Sequence, residues 1–129
     1  MDRPIPIDRE KVCPFLLRCF WKLNQGYTAH DYRDKLPENE FCLYTWPDAS
    51  LREIATLMKD VIPEASQSNA FISFSIVYPD RNGINAMKPI GRVRNSREGP
   101  DDHKTLSVLP FQTGDYLDVA VYIAGNPTR

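Results

Sequence analysis

Two histidines, three cysteines and a scatter of carboxylates have the chemistry for acid–base, nucleophilic or metal work. His30 and His103 lie far apart, and Asp101-Asp102-His103 follows Gly99-Pro100 in a polar stretch that reads as a solvated loop. A metal or general-base site needs further ligands converging on the imidazole, and no spacing here announces them. Ser96, Asp102 and His103 have the side-chain types of a nucleophilic triad, but no Gly-x-Ser-x-Gly turn accompanies them. Cys13, Cys19 and Cys42 are odd in number and lack C-x-x-C spacing, and two of them sit in apolar runs. They read as reduced core thiols of an intracellular protein. No catalytic, cofactor-binding or metal-binding residue is assigned, which leaves binding as the expected class of function.

Two kinds of binding surface are legible. Lys88, Arg92, Arg94 and Arg97 form a local basic run, and bases would stack on an aromatic such as Tyr122 if the fold brought it close. The plainer reading is a solvated basic loop. The chain has 16 basic and 17 acidic residues and a net charge of -1, so it lacks the broad positive field of a strong DNA binder. It also lacks a Lys/Arg-Gly-Phe ribonucleoprotein signature, so RNA contact is expected through partners. The second surface is aromatic and follows from the strands.

Those strands come from alternation. Cys13 to Leu23 puts Phe15, Leu17, Cys19, Trp21 and Leu23 on one side, with Arg18 and Lys22 on the other. Asn24 to Asn39 is polar and reads as a long loop. Phe41 to Trp46 alternates again and should pair with the first strand. Ser50 and Glu53 form an S-x-x-E capping box, with Asp48 as a rival cap. Leu51, Ile54, Ala55, Leu57, Met58, Val61 and Ile62 then recur at helical spacing until Pro63 stops the helix. Ala70 to Tyr78 is a third strand, closed by the turn formers from Pro79 to Gly83. Met87 to Val93 and Lys104 to Leu109 are weaker strand candidates. Leu117, Val119, Val121 and Ile123 alternate strictly in a closing strand.

This order predicts an α+β fold of the ubiquitin-like β-grasp type: a mixed sheet of about five strands packed on one main helix, with loop insertions. An antiparallel α+β sandwich of other topology satisfies the same order. The expected organisation is an N-terminal extension over 1–11, the domain over 12–123 and a frayed tail over 124–129. The N-terminus lacks the apolar run of a signal peptide, and no segment has the ~20 apolar residues of a membrane span. The ending Gly125-Asn126-Pro127-Thr128-Arg129 lacks the diglycine of a conjugated tag.

If Leu17, Leu43 and Val119 face the helix, then Leu16, Phe20, Tyr44, Trp46, Tyr116 and Tyr122 face away, interleaved with Arg18, Lys22 and Asp118. One helix leaves that face open, and aromatics mixed with arginine are the composition of interface hot spots. The expected partner-binding residues are Arg18, Phe20, Tyr44, Trp46, Tyr116, Asp118 and Tyr122, with the Tyr116 ring and the Asp118 carboxylate as the firmest surface positions. The competing reading folds the Asn24 to Asn39 loop or the Arg94 to Phe111 segment over this face as a second small core. Trp46 also suits a hydrophobic staple at the helix start.

Three stretches resemble a known family: Pro6-Ile7-Asp8-Arg9-Glu10-Lys11 with Cys13-Pro14-Phe15-Leu16-Leu17-Arg18, Tyr44-Thr45-Trp46-Pro47-Asp48-Ala49-Ser50-Leu51-Arg52-Glu53, and Phe111-Gln112-Thr113-Gly114-Asp115-Tyr116-Leu117-Asp118-Val119-Ala120. Their combination is similar to the Sin-3-associated 18-kDa polypeptide family over residues 6 to 123. The resemblance implies a ubiquitin-like fold and a nuclear adaptor without enzymatic activity, in the nucleoplasm and nuclear speckles, with the cytoplasm as a further compartment. It implies two settings. One is the Sin-3 histone deacetylase corepressor; the other is the splicing-associated, exon junction-linked assembly with Acinus or Pinin and an RNA-binding serine-rich protein. Asn24 to Glu40 has no clear match, and the basic, proline-rich tail of some members is absent from this sequence.

Overall fold

The computed structural model describes residues 7–123. Five strands form one mixed sheet: β1 (Phe15–Leu23), β2 (Glu40–Thr45), β3 (Ala70–Pro79), β4 (Asn85–Arg94) and β5 (Tyr116–Ile123). Their order across the sheet is β2-β1-β5-β3-β4. The central pair β1 and β5 runs parallel, while β1–β2, β3–β5 and β3–β4 are antiparallel. Helix α1 (Leu51–Met58) crosses one face. This is the expected ubiquitin-like arrangement, and the parallel centre excludes the purely antiparallel sandwich.

Alternation does its work on the helix side. Leu17, Cys19, Ile72, Phe74, Ile76, Leu117, Val119 and Val121 are buried against Leu51, Ile54, Ala55 and Met58 in one core. At the helix start the Ser50 hydroxyl accepts the Glu53 N–H at 3.1 Å, so the serine is the cap. Glu53 and the rival cap Asp48 instead both bind the Arg9 guanidinium. That arginine also lies 4.8 Å over the Trp46 ring, and the Trp46 indole N–H donates to the Val12 carbonyl at 2.7 Å. The segment before β1 is thus clasped onto the helix entrance.

Several expectations change. The helix ends at Met58, not Ile62; one further turn brings Ile62 into the core without continuing the helix. Lys104 to Leu109 is not a strand but a run of turns touching the helix start through one bridge, Ser50 to Thr105. Leu106 is buried there, so its alternation reflected burial without a ladder. β4 carries a bulge opposite Phe74 and Ser75, which puts Ile90 and Val93 in the same core although they are three apart. Of the cysteines only Cys19 is a core thiol; Cys13 and Cys42 are exposed, because one lies ahead of the sheet and the other on the outer face of an edge strand. The frayed tail expected over 124–129 lies outside the described residues.

Candidate protein-docking surface

The outer face of the sheet is ruled into rows by the strand register. Leu16 stands opposite Tyr44, Arg18 opposite Cys42, and Phe20 between Glu40 and Asp118. On the other half, Phe71 stands between Tyr122 and Arg94, and Ser73 between Ala120 and Arg92.

The middle of this face is covered. Asn24 takes a left-handed backbone (φ 57°), which asparagine tolerates, and its N–H donates to the Val121 carbonyl at 2.7 Å. The chain is thereby turned back across the sheet. Gly26 passes above Ala120 and the Tyr122 hydroxyl, and a short 3-10 turn (Ala29–Tyr32) plants Tyr32 on the face. Tyr32, Phe20 and Val77 form a second core, with Tyr27, Leu36, Met87 and Tyr116 packed against it. Phe20 meets Tyr32 and Tyr116 edge-on, with centroids 5.6 and 5.4 Å apart, a geometry that aromatic quadrupoles favour.

Two of the expected partner-binding residues are therefore interior. Phe20 is fully buried, and Asp118, expected as a firm surface position, is 3 % exposed. The Tyr32 hydroxyl donates to Asp118 Oδ1 at 2.7 Å. Burial pushes the Asp118 carboxyl up to about 6, partly offset by that hydrogen bond. Sequence reasoning raised the covering loop as the competing reading but had no signal for Tyr32, one of two tyrosines in a polar stretch without periodicity. The Asp101–His103 loop also differs from its solvated reading: Asp102 is fully buried and paired with Arg52 at 2.8 Å.

What stays open lies at two ends. At the β2 edge, Tyr44 is 69 % and Leu16 46 % exposed, beside Cys42 and a half-buried Tyr116. The Arg18 guanidinium lies 5.5 and 5.3 Å from the Phe20 and Tyr116 centroids and is held by both Glu40 carboxylate oxygens. Arg18 therefore closes the inner core and presents an oriented polar rim to the open corner. The Arg18 hydrogen bond in turn holds the Glu40 carboxyl below the usual range. Trp46 is half-buried beside this corner, under the Arg9 guanidinium and hydrogen-bonded to the Val12 carbonyl, so it is held by the segment before β1. At the other end Tyr122 stacks on Phe71 at 4.9 Å and 16°, and Arg92 and Arg94 lie over Phe71; Lys88 stands further down β4 opposite Ile76.

The described residues contain no group of three or more His, Cys, Asp or Glu side chains able to hold a metal, and no helix long and apolar enough to cross a membrane. Apolar side chains thus stand at the β2 end of the sheet beside the oriented Arg18–Glu40 pair.

The model of the Sin3 associated polypeptide p18 (SAP18) family matches residues 6–121. A histone deacetylase complex subunit SAP18 of Arabidopsis thaliana is 49 % identical over 124 residues, covering 93 % of this chain and 82 % of the relative. The human protein of the same name is 44 % identical over 120 residues, covering 90 % and 78 %. A probable histone deacetylase complex subunit SAP18 of Caenorhabditis elegans is 37 % identical over 129 residues, covering 96 % and 78 %.

Proposed function

Because the chain belongs to the Sin3 associated polypeptide p18 (SAP18) family, we propose that it is a non-enzymatic adaptor subunit of a nuclear histone deacetylase corepressor complex. The observation that carries this reading is the register pair Leu16 and Tyr44, two large side chains left in solvent on the last two strands of the sheet. β2 ends the sheet, so its outer edge is available for an added strand while the two side chains anchor it. Arg18, Tyr116 and Cys42 rim the same corner.

The finer assignment follows the family resemblance. The docked segment belongs to Sin-3 corepressor subunits in one setting. In the other it belongs to Acinus or Pinin, with an RNA-binding serine-rich protein completing a splicing-associated assembly. The protein is then nuclear, in nucleoplasm and speckles, and touches RNA through partners.

The test is an affinity pull-down of tagged protein from nuclear extract, with Leu16→Ser, Tyr44→Ala beside the wild type. Recovery of deacetylase-complex subunits that the variant loses, at an unchanged thermal midpoint, supports adaptor and surface together. Equal recovery by the variant moves docking away from this corner, and failure of the wild type to recover any deacetylase subunit overturns the adaptor reading.

A further inference from the structure

The sheet edge opposite β2 has a different character. Arg92, Arg94 and Arg97 are exposed, and none is within ion-pair distance of a carboxylate among the described residues. They line an open hollow of about 440 Å³, and Arg94 is shared with a second of about 340 Å³ that reaches Phe71 and Ser96. Asp101, on the rim, is engaged by Lys104 at 2.6 Å and by the Arg92 N–H at 2.9 Å. The Lys104 hydrogen bond, with the Lys104 and Arg92 charges, holds the Asp101 carboxyl below the usual range, so Glu98 and a shared Asp101 oppose three guanidinium groups and Lys104.

The cluster is also built. The Arg92 and Arg94 guanidinium carbons sit 5.0 and 5.5 Å from the Phe71 centroid, so the ring orients both groups. The Arg94 and Arg97 carbonyls each accept from Arg52, at 2.7 and 3.2 Å, and Arg52 is itself fixed by buried Asp102. Three exposed arginines around an open hollow, two of them oriented by Phe71, match a compact dianion, which guanidinium groups bind through paired charge-assisted bonds.

A nucleic-acid strand needs free ring faces for its bases. Phe71 has none to offer: Tyr122 on β5 stacks on one side and the arginines of β4 stand on the other. We propose that Arg92, Arg94 and Arg97 form a receptor site for a phosphorylated serine or threonine on a partner protein. This site lies on the edge away from Leu16 and Tyr44 and does not depend on the docking proposed there.

The test maps amide signals of the whole chain by NMR. The probes are a short phosphoserine peptide, its unphosphorylated twin and a uridine decamer. The expected result is movement of Arg92, Arg94 and Arg97 signals with the phosphopeptide alone, and affinity reduced roughly tenfold or more in Arg94→Gln, Arg97→Gln. Arg97→Gln by itself touches no ring and gives a second variant whose fold is undisturbed. Equal shifts from the unphosphorylated twin, no shift at these amides, or shifts from the RNA alone would overturn the proposal.

Discussion

The Tyr32 hydroxyl reaches 86 residues along the chain to donate to Asp118 Oδ1 at 2.7 Å, pinning a polar loop over the centre of the sheet. The Asp118 carboxyl titrates near 6 there because burial penalises its charge, with Asp31 adding repulsion and Lys22 and the Tyr32 bond opposing the rise. A raised carboxyl favours the protonated folded state, so its contribution to stability falls as pH rises from about 4 to about 6. With ~1.4 kcal/mol per unit, the ionised carboxylate costs about 2–3 kcal/mol above that window. Asp118→Asn removes the titration and keeps an acceptor for Tyr32. Urea unfolding should show the stability of Asp118→Asn relative to wild type rising by about that amount between pH 4.5 and pH 7.

Tyr32→Phe keeps the edge-on contact with Phe20 but takes the donor from a carboxylate that is 3 % exposed. The expected loss is about 1–3 kcal/mol at pH 7. It should shrink at pH 4.5, where Asp118 carries a proton and no charge. A loss independent of pH would show that the hydroxyl matters for packing alone.

Arg52 and Asp102 form the interior ion pair under the arginine loop, with Asp102 side chain 1 % and Arg52 27 % exposed. Arg52→Ala strands a buried carboxylate and frees the Arg94 and Arg97 carbonyls, so a loss of about 3 kcal/mol is expected. Asp102→Asn removes the charge and leaves Arg52 its two carbonyl bonds, so its loss should be smaller. Denaturant midpoints of the two variants give the comparison directly.

Gly91 lies where β4 meets the helix start. A Cβ there would come within 2.7 Å of Leu51 Cδ1 and 3.1 Å of Asp101 Cβ. Leu51 is fully buried, so its side chain would have to shift within the packed core. Gly91→Ala should therefore cost about 1–3 kcal/mol in thermal or urea unfolding, without altering the Leu16–Tyr44 corner.

Much of this fold was legible in the order of residues. The helix-facing sets Leu17 and Cys19, Ile72, Phe74 and Ile76, and Leu117, Val119 and Val121 follow from period-two alternation, and Ser50 marks the helix start by its cap. Parity also named the outer set, since a strand has only two faces. Which of that set meets solvent was beyond local pattern. Phe20 and Tyr44 share the outer face, yet one is fully buried and the other 69 % exposed. The difference is made by Asn24 turning the chain back and by Tyr32 landing on Phe20 and Asp118, contacts between segments distant in sequence. In the same way Tyr122, Phe71 and the β4 arginines became one cluster only through the pairing of β5, β3 and β4. Periodicity assigns a side chain to a face, whereas burial depends on what the rest of the chain lays over it, and that is settled only by tertiary closure.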